Sequence, residues 1–448
     1  MLSSEYLPAE RRVVDMCRQE MAANGSINAD AASDEDRMVR DGRAHAMAVG
    51  FMENELASDP DFAYLISSDR DAIADAAVRD LYYLGPLEEL LFDSDVTEIM
   101  VNGPEDVWVE RCGLLSKTQV RFADDEHVKF VIDRIAAGDG RRCDEAAPLC
   151  DCTLKREGAP FDGSRVNAVC KGIGVDHHLL DIRKFKEDAM GPEDLMAAGS
   201  FDRRAMDLMQ TLVMGRMNII VSGGTGTGKT TMLNALSSFI PDGDRIITIE
   251  DTAELKLQKS QVVRMQSRPA NTEGEGEVTI RQLVVNALRQ RPDRIVVGEC
   301  RSAEAFDMVQ AMSTGHDGSL TTVHANNSKE TLTRLQSMIQ QTGIDMPVKS
   351  IMELVTQSVD FIVSVKRYPD GSRRLAEICE VCGMEGEVPV TAPILTFKQD
   401  VFDGGKVTGC LISTGNRFTQ SHMERLQAAG AYVDDSWFMA EDGVLGGY

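Results

Sequence analysis

Four short runs of apolar and β-branched residues stand out in the second half of the chain, and none of them alternates apolar with polar positions. These runs are MNIIVS (217–222), RIITIE (245–250), RIVVGE (294–299) and SLTTVH (319–324). Continuous apolar runs of this length are typical of strands buried on both faces of a sheet. Stretches with helical spacing separate them, near 229–239, 279–290 and 302–313. This alternation predicts an α/β domain in which helices flank a parallel sheet.

The chain before these runs has a different pattern. Residues 1–80 are rich in Ala, Asp, Glu and Met, with helical spacing that continues to Tyr82, and they carry no recognisable chemistry. From Leu84 onward, short alternating segments surround a stretch of helical spacing at 127–137, which favours a mixed α+β domain. We therefore expect a helical extension (1–80), a mixed α+β domain (81–185), a linker (186–192) and the α/β domain (193–448).

Composition narrows the function classes. The 448 residues include 47 Lys and Arg against 72 Asp and Glu, for a net charge of −25. A surface of this sign repels polyanions, so a protein that coats nucleic acid is disfavoured. Apolar runs stay well short of the roughly 20 residues that span a bilayer, and the N-terminus lacks the apolar core of a signal peptide. We expect a cytoplasmic protein, and composition leaves open whether a partner brings it to a membrane.

The ten cysteines are scattered along the chain. Cys379 and Cys382 form a C-x-x-C pair without a second such pair downstream. A lone pair of this kind fits a metal half-site or a redox pair, but ordinary reduced thiols are the favoured interpretation.

The strongest chemical signal is a phosphate-binding loop at 223–230, GGTGTGKT, which follows the first apolar run and precedes a helix. It matches G-x-x-x-x-G-K-[ST] in the strand–loop–helix context that this motif requires. Lys229 would neutralise the β- and γ-phosphates, and the Thr230 hydroxyl would bind Mg²⁺. The sequence thus predicts ATP and Mg²⁺ as cofactors. The predicted nucleotide-binding residues are Gly224, Thr225, Gly226, Thr227, Gly228, Lys229, Thr230 and Thr231.

Two glutamates follow apolar runs, where open parallel sheets place their sites. Glu250 ends RIITIE and Glu299 ends RIVVGE, so either could activate water, and Glu250 is also a candidate metal ligand. We favour Glu299 as the base, with Glu250 the alternative. The position before Glu299 is Gly298, where an acid is usual, and Asp293 lies too far back to reach Mg²⁺. The run RIITIE also intervenes in sequence between the loop strand and the acidic strand, which favours a ring motor over a kinase.

A third signal is TGHDGSLTTVHAN at 314–326, in which His324 follows a buried run. A histidine at a strand end could sense the γ-phosphate or relay a subunit contact. Taken alone, a structural role for His324 is the stronger interpretation.

Together these segments resemble the type II/IV secretion ATPase superfamily, most closely its CpaF/TadA branch of tight-adherence (Flp) pilus motors. The P-loop, an aspartate box, a Walker B segment and a histidine box carry the resemblance in the second half of the chain. Blocks of the mixed α+β domain resemble the branch as well. These segments are 223–230, 248–255, 288–301, 314–326, 84–88, 96–103, 163–167 and 182–185.

The resemblance implies a RecA-like P-loop ATPase domain and a homo-hexameric ring that holds ATP between its N- and C-terminal domains. Arg165 and Arg183 would reach the phosphates, with Arg141 or Arg142 as a further candidate. An inner-membrane platform protein of a pilus or secretion system would be the partner, at the cytoplasmic face of the membrane, and no direct nucleic-acid partner is expected. The paired C-x-x-C zinc module of type II secretion ATPases is missing, which argues against that relative.

Three alternatives stay open. A type IV secretion or conjugation ATPase would use the same chemistry in another machine. A DNA-translocating ring ATPase would require stimulation by DNA, and the net negative charge of the chain disfavours this alternative. A protein that binds nucleotide without turnover is disfavoured by intact Lys229, Thr230 and Glu299.

Overall fold

The computed structural model describes residues 6–24, 33–54, 56, 59–60, 62–111, 113–184, 190–270, 274–403 and 405–439. Phe185 and residues 186–189, most of the predicted linker, lie outside this range, as does Cys112. The chain divides into two compact units, Met1–Glu187 and Asp188–Tyr448. The domain boundaries at 80, 185 and 192 remain predictions.

The first unit combines a helical cluster with a six-stranded antiparallel sheet of order β3-β2-β1-β6-β5-β4. Its elements are α1 (Leu7–Asn24), α2 (Asp34–Asn54), α3 (Ser67–Tyr82), α4 (Glu88–Phe92), β1 (Val96–Val101), β2 (Val107–Arg111), β3 (Leu114–Lys117), α5 (Asp125–Gly138), β4 (Leu149–Thr153), β5 (Arg165–Val169) and β6 (Leu179–Arg183). Helices α1, α2 and α3 enclose a core of their own that includes Val13, Ala48 and Ile73. The predicted helical N-terminal region is therefore confirmed.

The second unit is built on one nine-stranded sheet of order β15-β14-β13-β12-β7-β11-β10-β8-β9. Its elements are α6 (Pro192–Ala197), α7 (Arg203–Met214), β7 (Ile219–Ser222), α8 (Lys229–Ser238), β8 (Ile246–Glu250), β9 (Val262–Gln266), α9 (Ile280–Ala287), β10 (Arg294–Cys300), α10 (Glu304–Ser313), β11 (Leu320–Val323), α11 (Ser328–Gln340), α12 (Val348–Ser358), β12 (Phe361–Arg367), β13 (Arg373–Glu385), β14 (Val388–Asp403), β15 (Lys406–Ser413) and α13 (Gln420–Ala428). Six neighbouring strands of this sheet pair in parallel, in the spatial order β12, β7, β11, β10, β8 and β9. Beyond β12, the strands β13, β14 and β15 extend the sheet in antiparallel pairing.

Two apolar cores cover the parallel part of this sheet, one on each face. Helices α7 and α8 pack on one face, with Ile219, Val221 and Val296 from the strands. Helices α9 to α12 pack on the other, with Ile220 and Val297. The four apolar runs form β7, β8, β10 and β11, and the predicted α/β fold with a helix-flanked parallel sheet is confirmed.

The order of the strands in space differs from their order along the chain. Strand β8 follows the loop strand β7 in sequence, yet β11 is the strand that lies between β7 and β10. Strand β8 pairs with β10 on its far side. The strand that separates the loop strand from the acidic strand is therefore the one that precedes His324.

Hydrogen bonds at the amino edge of the sheet hold the strands in register. Asn218 Oδ1 accepts from the N–H groups of Gly318 and Ser319 at 2.9 and 3.1 Å, just before β11. Its Nδ2 donates to the Ser358 carbonyl at 2.8 Å, just before β12. The fully buried Arg294, the first residue of β10, donates to Asp244 at 2.7 Å. These bonds tie together the segments that lead into β7, β11 and β12 and join β10 to the segment before β8.

A buried ionic network attaches α13 to this edge. His422 lies between two carboxylates, with Nδ1 2.5 Å from Glu380 Oε1 and Nε2 3.0 Å from Asp360 Oδ1. Arg425 also pairs with Asp360. Burial by itself lowers the pKa of His422, but the hydrogen bonds to Asp360 and Glu380 outweigh it and raise the pKa to about 9.

We predict that the free energy of unfolding depends on pH through His422. Because its pKa is raised in the folded state, the stabilisation is complete below about pH 6.5, the ordinary value for His, and is lost as the pH rises through about 9. The rise in the pKa of His422 corresponds to a contribution on the order of 3 kcal/mol to the free energy of unfolding. Denaturant unfolding of the wild type and of His422→Gln between pH 6 and 10 should converge at the alkaline end. Parallel curves for the two proteins would contradict the assignment.

Candidate nucleotide-binding site

The loop between β7 and α8 has the backbone shape of a phosphate-binding loop. Gly226 and Gly228 adopt left-handed φ values of +69° and +90°, which residues with a side chain rarely adopt. A Cβ at Gly223 would lie 2.7 Å from the Val365 carbonyl oxygen, so the entry to the loop also requires glycine. Lys229 Nζ and Thr227 Oγ1 both donate to the Gly224 carbonyl, at 2.9 and 3.0 Å.

The predicted nucleotide-binding residues, 224–231, therefore lie in one loop and the first turn of α8. The N–H groups at the start of a helix lack partners within the helix and carry partial positive charge, which suits the phosphate groups of a nucleotide. Lys229 adds a full positive charge, and the hydroxyl of Thr230 is of the kind that binds Mg²⁺. The arrangement has the shape and charge to bind a nucleotide, and the individual roles remain predictions.

Glu250, the last residue of β8, is buried on the side of the sheet that carries α8. Its Oε1 accepts from the N–H groups of Glu254 and Leu255, both at 2.9 Å. The same segment is held to α8, because the Lys256 N–H donates to Asn234 Oδ1 at 3.1 Å. Burial raises the pKa of Glu250 to about 7, although the two backbone hydrogen bonds oppose this. A cation beside the carboxylate would lower the pKa again.

Glu250 occupies the space that an acid at position 298 would use. The pairing of Val297 with Ile249 places Gly298 beside Glu250. A Cβ at Gly298 would lie 3.0 Å from Glu250 Cγ and 3.5 Å from its Oε1. Within the described part of the chain, Glu250 Oε2 is buried without a hydrogen-bond partner. An unpaired buried carboxylate oxygen fits a divalent cation, so this residue suits the Mg²⁺ role expected of it.

Glu299 lies in a different environment. Its Oε2 accepts from Arg301 Nε at 2.7 Å, and Arg301 Nη1 reaches Asp251 Oδ2 at 3.3 Å. The pairing of β10 with β11 is irregular between Val297 and Cys300, and bulges of this kind redirect side chains near sites. Asp293, at the opposite end of β10, accepts from the Arg245 N–H at 2.8 Å, at the edge away from the loop.

The segment that follows β11 reaches the loop through a residue that the sequence did not single out. His324 is exposed just after the strand ends at Val323. Asn326 Oδ1 would lie 3.9 Å from a Cβ at Gly224, and its Nδ2 donates to Glu330 Oε2 at 2.9 Å. Asn326 therefore lies beside the phosphate-binding loop. In the sequence, Asn326 could have been recognised as a candidate site residue because it ends the histidine-box segment at 314–326.

The predicted arginines belong to the first unit. Arg165 and Arg183 are cross-strand partners on β5 and β6. Arg183 Nε lies 3.7 Å from Glu98 Oε1, and Arg142 Nε lies 3.6 Å from Asp144 Oδ2. The structure brings Arg165 and Arg183 together, and their action on a nucleotide remains a prediction.

The described residues contain no group of three or more His, Cys, Asp or Glu side chains arranged to hold a metal ion. Burial raises the pKa of Cys379 to about 11 and that of Cys382 to about 12, so both thiols are protonated at neutral pH. In the part of the chain that the structure covers, no helix combines the length and the apolar character needed to cross a bilayer.

A phosphate-binding loop on a helix-flanked parallel sheet defines a P-loop protein. Residues 81–387 match the family described as Type II/IV secretion system protein, and the chain belongs to this family. It is thus homologous to the secretion ATPases.

Two relatives and one solved structure illustrate the similarity. A putative conjugal transfer protein of Mycobacterium tuberculosis is 38% identical over 322 residues, which cover 71% of this chain and 91% of the relative. The conjugal transfer protein TrbB of Rhizobium radiobacter is 30% identical over 65% of this chain and 86% of its own length. The VirB11 ATPase of the Brucella suis type IV secretion system, solved with sulphate, is 28% identical over 66% of this chain and 92% of that chain, with a TM-score of 0.36.

We predict that Gly298→Ala impairs a Mg²⁺-dependent reaction at this site. The added methyl group would displace the Glu250 side chain, so the Mg²⁺ concentration for half-maximal ATP hydrolysis should rise several-fold. Gly243→Ala is the matched control, because no atom lies within 4 Å of a Cβ at that position. Equal Mg²⁺ dependence in the two variants would show that the space beside Gly298 is unimportant.

Proposed function

We propose that this protein hydrolyses ATP as the hexameric motor of a pilus or secretion machine, with the CpaF/TadA branch as the favoured relative. The observation that carries the proposal is the complete P-loop with the buried Glu250 carboxylate at the same edge of one sheet. The family to which the chain belongs supports it. Sequence similarity to the CpaF/TadA blocks supports the finer assignment.

In this proposal the site residues bind the phosphate groups and Mg²⁺, activate the attacking water and stabilise the charge that develops on the transferred phosphoryl group. Lys229 and the N–H groups of the loop bind the phosphates, while Thr230 and Glu250 hold Mg²⁺, which when bound neutralises charge on the phosphate oxygens. Glu299 orients and deprotonates the attacking water, with Glu250 as the alternative base. Arg165 and Arg183 stabilise charge on the transferred phosphoryl group, and His324 senses that group.

The two glutamates are distinguished by paired substitutions. If Glu299 is the base, Glu299→Gln should lower kcat by about 100-fold or more and leave ATP binding intact. Glu250→Gln should instead raise the Mg²⁺ concentration needed for half-maximal rate. Steady-state hydrolysis across a Mg²⁺ series measures both. The reverse pattern would assign the base to Glu250, and wild-type rates in both variants would overturn the proposed chemistry.

The ring is tested separately from the chemistry. Six copies of the 49.1 kDa chain have a mass of about 295 kDa. Light scattering of the purified protein, with and without ATP, should show this species at least in the presence of nucleotide. A monomer or dimer under every condition would contradict the hexamer.

The conjugation and type IV secretion alternative is favoured by the names of the relatives, which are conjugal transfer proteins. In both machines we expect the motor to act on an inner-membrane platform protein at the cytoplasmic face of the membrane and to bind no nucleic acid directly. The net charge of −25 opposes contact with DNA. Hydrolysis should therefore be unchanged by added duplex DNA. Stimulation of several-fold would instead favour a DNA-translocating motor.

A further inference from the structure

A hairpin formed by β12 and β13 lies directly against the phosphate-binding loop. A Cβ at Gly226 would lie 3.4 Å from Arg367 Nη1, and a Cβ at Gly228 would lie 3.6 Å from Arg373 Cδ. These two arginines are cross-strand partners at the end of the hairpin. Both guanidinium-bearing side chains are therefore beside the two left-handed glycines of the loop.

The turn that joins the two strands is held in place by its own hydrogen bonds. The Tyr368 N–H donates to the Ser372 carbonyl at 2.8 Å, and Gly371 adopts a left-handed φ of +80°. Asp370 accepts from Ser372 Oγ at 2.6 Å and from the Val407 N–H of β15 at 2.8 Å. A turn with these anchors holds Arg367 and Arg373 at a defined position relative to the loop.

The charges of this region indicate the ligand. Arg367 and Arg373 are directly opposed on the hairpin, and both lie beside the loop that leads into Lys229. Positive charge concentrated in one region favours an anionic ligand. Guanidinium groups form charge-assisted, often bidentate hydrogen bonds with phosphate oxygens. Because backbone N–H groups of a P-loop cradle the α- and β-phosphates, arginines beside Gly226 and Gly228 are placed for those same phosphates.

We propose that Arg367 and Arg373 bind the α- and β-phosphates of the nucleotide, as contacts from the same subunit that provides the P-loop. The inference rests on the proposed nucleotide-binding function and adds two residues to its site. Since ADP and ATP share these phosphates, both nucleotides gain the same contacts. Loss of such uniform binding raises KM and leaves kcat nearly unchanged.

The test compares Arg367→Gln and Arg373→Gln with Lys366→Gln. Lys366 carries the same charge on the same hairpin and is exposed. It directly precedes Arg367 in β12, and because successive side chains of a strand point to opposite faces, its side chain points away from that of Arg367. Titration of each protein with ADP, and competition by pyrophosphate, measures affinity. We expect a loss of about 10- to 100-fold for ADP and for pyrophosphate in the arginine variants, and wild-type affinity in the lysine variant. Arg367→Lys and Arg373→Lys should recover part of the loss.

Several outcomes would overturn the inference. Wild-type ADP affinity in both arginine variants would contradict the inference and leave the proposed function unaffected. Two further results would also contradict the inference alone. One is a loss of ADP affinity in Lys366→Gln equal to that in the arginine variants, and the other is a loss of affinity for ADP but not for pyrophosphate. Failure of the wild type to bind either ADP or ATP would instead contradict the proposed function. Thermal unfolding at the wild-type temperature shows that each variant is folded.

Discussion

The register of the parallel strands is the constraint on which the candidate site depends. Side chains of a strand alternate between the faces of the sheet, so a slip of one residue would move every functional side chain to the wrong face. Hydrogen bonds at the edge where the parallel strands begin oppose such a slip. Asn218, just before β7, bonds to the segments that lead into β11 and β12, and Arg294 of β10 bonds to Asp244 before β8. The chemistry at the carboxyl edge is therefore positioned by polar contacts at the opposite edge.

One consequence of this register is that a carboxylate of a neighbouring strand lies beside Gly298. Glu250 of β8 fills the space beside Gly298 of β10, and among the described residues its buried Oε2 has no hydrogen-bond partner. On the opposite side of the loop, the β12–β13 hairpin brings positive charge to Gly226 and Gly228. The site thus draws its negative and positive groups from different strands that only the folded sheet brings together.

The sequence predicted strands β7, β8, β10 and β11, helices α8, α9 and α10 and the P-loop, because each depends on local periodicity or a short motif. It did not predict the antiparallel strands β13, β14 and β15. It did not predict that β11 lies between β7 and β10, since the pairing of strands is a long-range property. For the same reason the proximity of Glu250 to Gly298, of Asn326 to Gly224 and of Arg367 to Gly226 became apparent only from the structure.

Phosphate release measures directly whether the loop at 223–230 binds ATP for hydrolysis. Purified wild-type protein and Lys229→Ala would be assayed with ATP and Mg²⁺ at equal concentrations, after thermal unfolding shows that both are folded. We expect release by the wild type and a loss of about 100-fold or more in the variant, because Lys229 is the residue that the P-loop motif places at the β- and γ-phosphates. Release at the same rate by both proteins, or by neither, would contradict it.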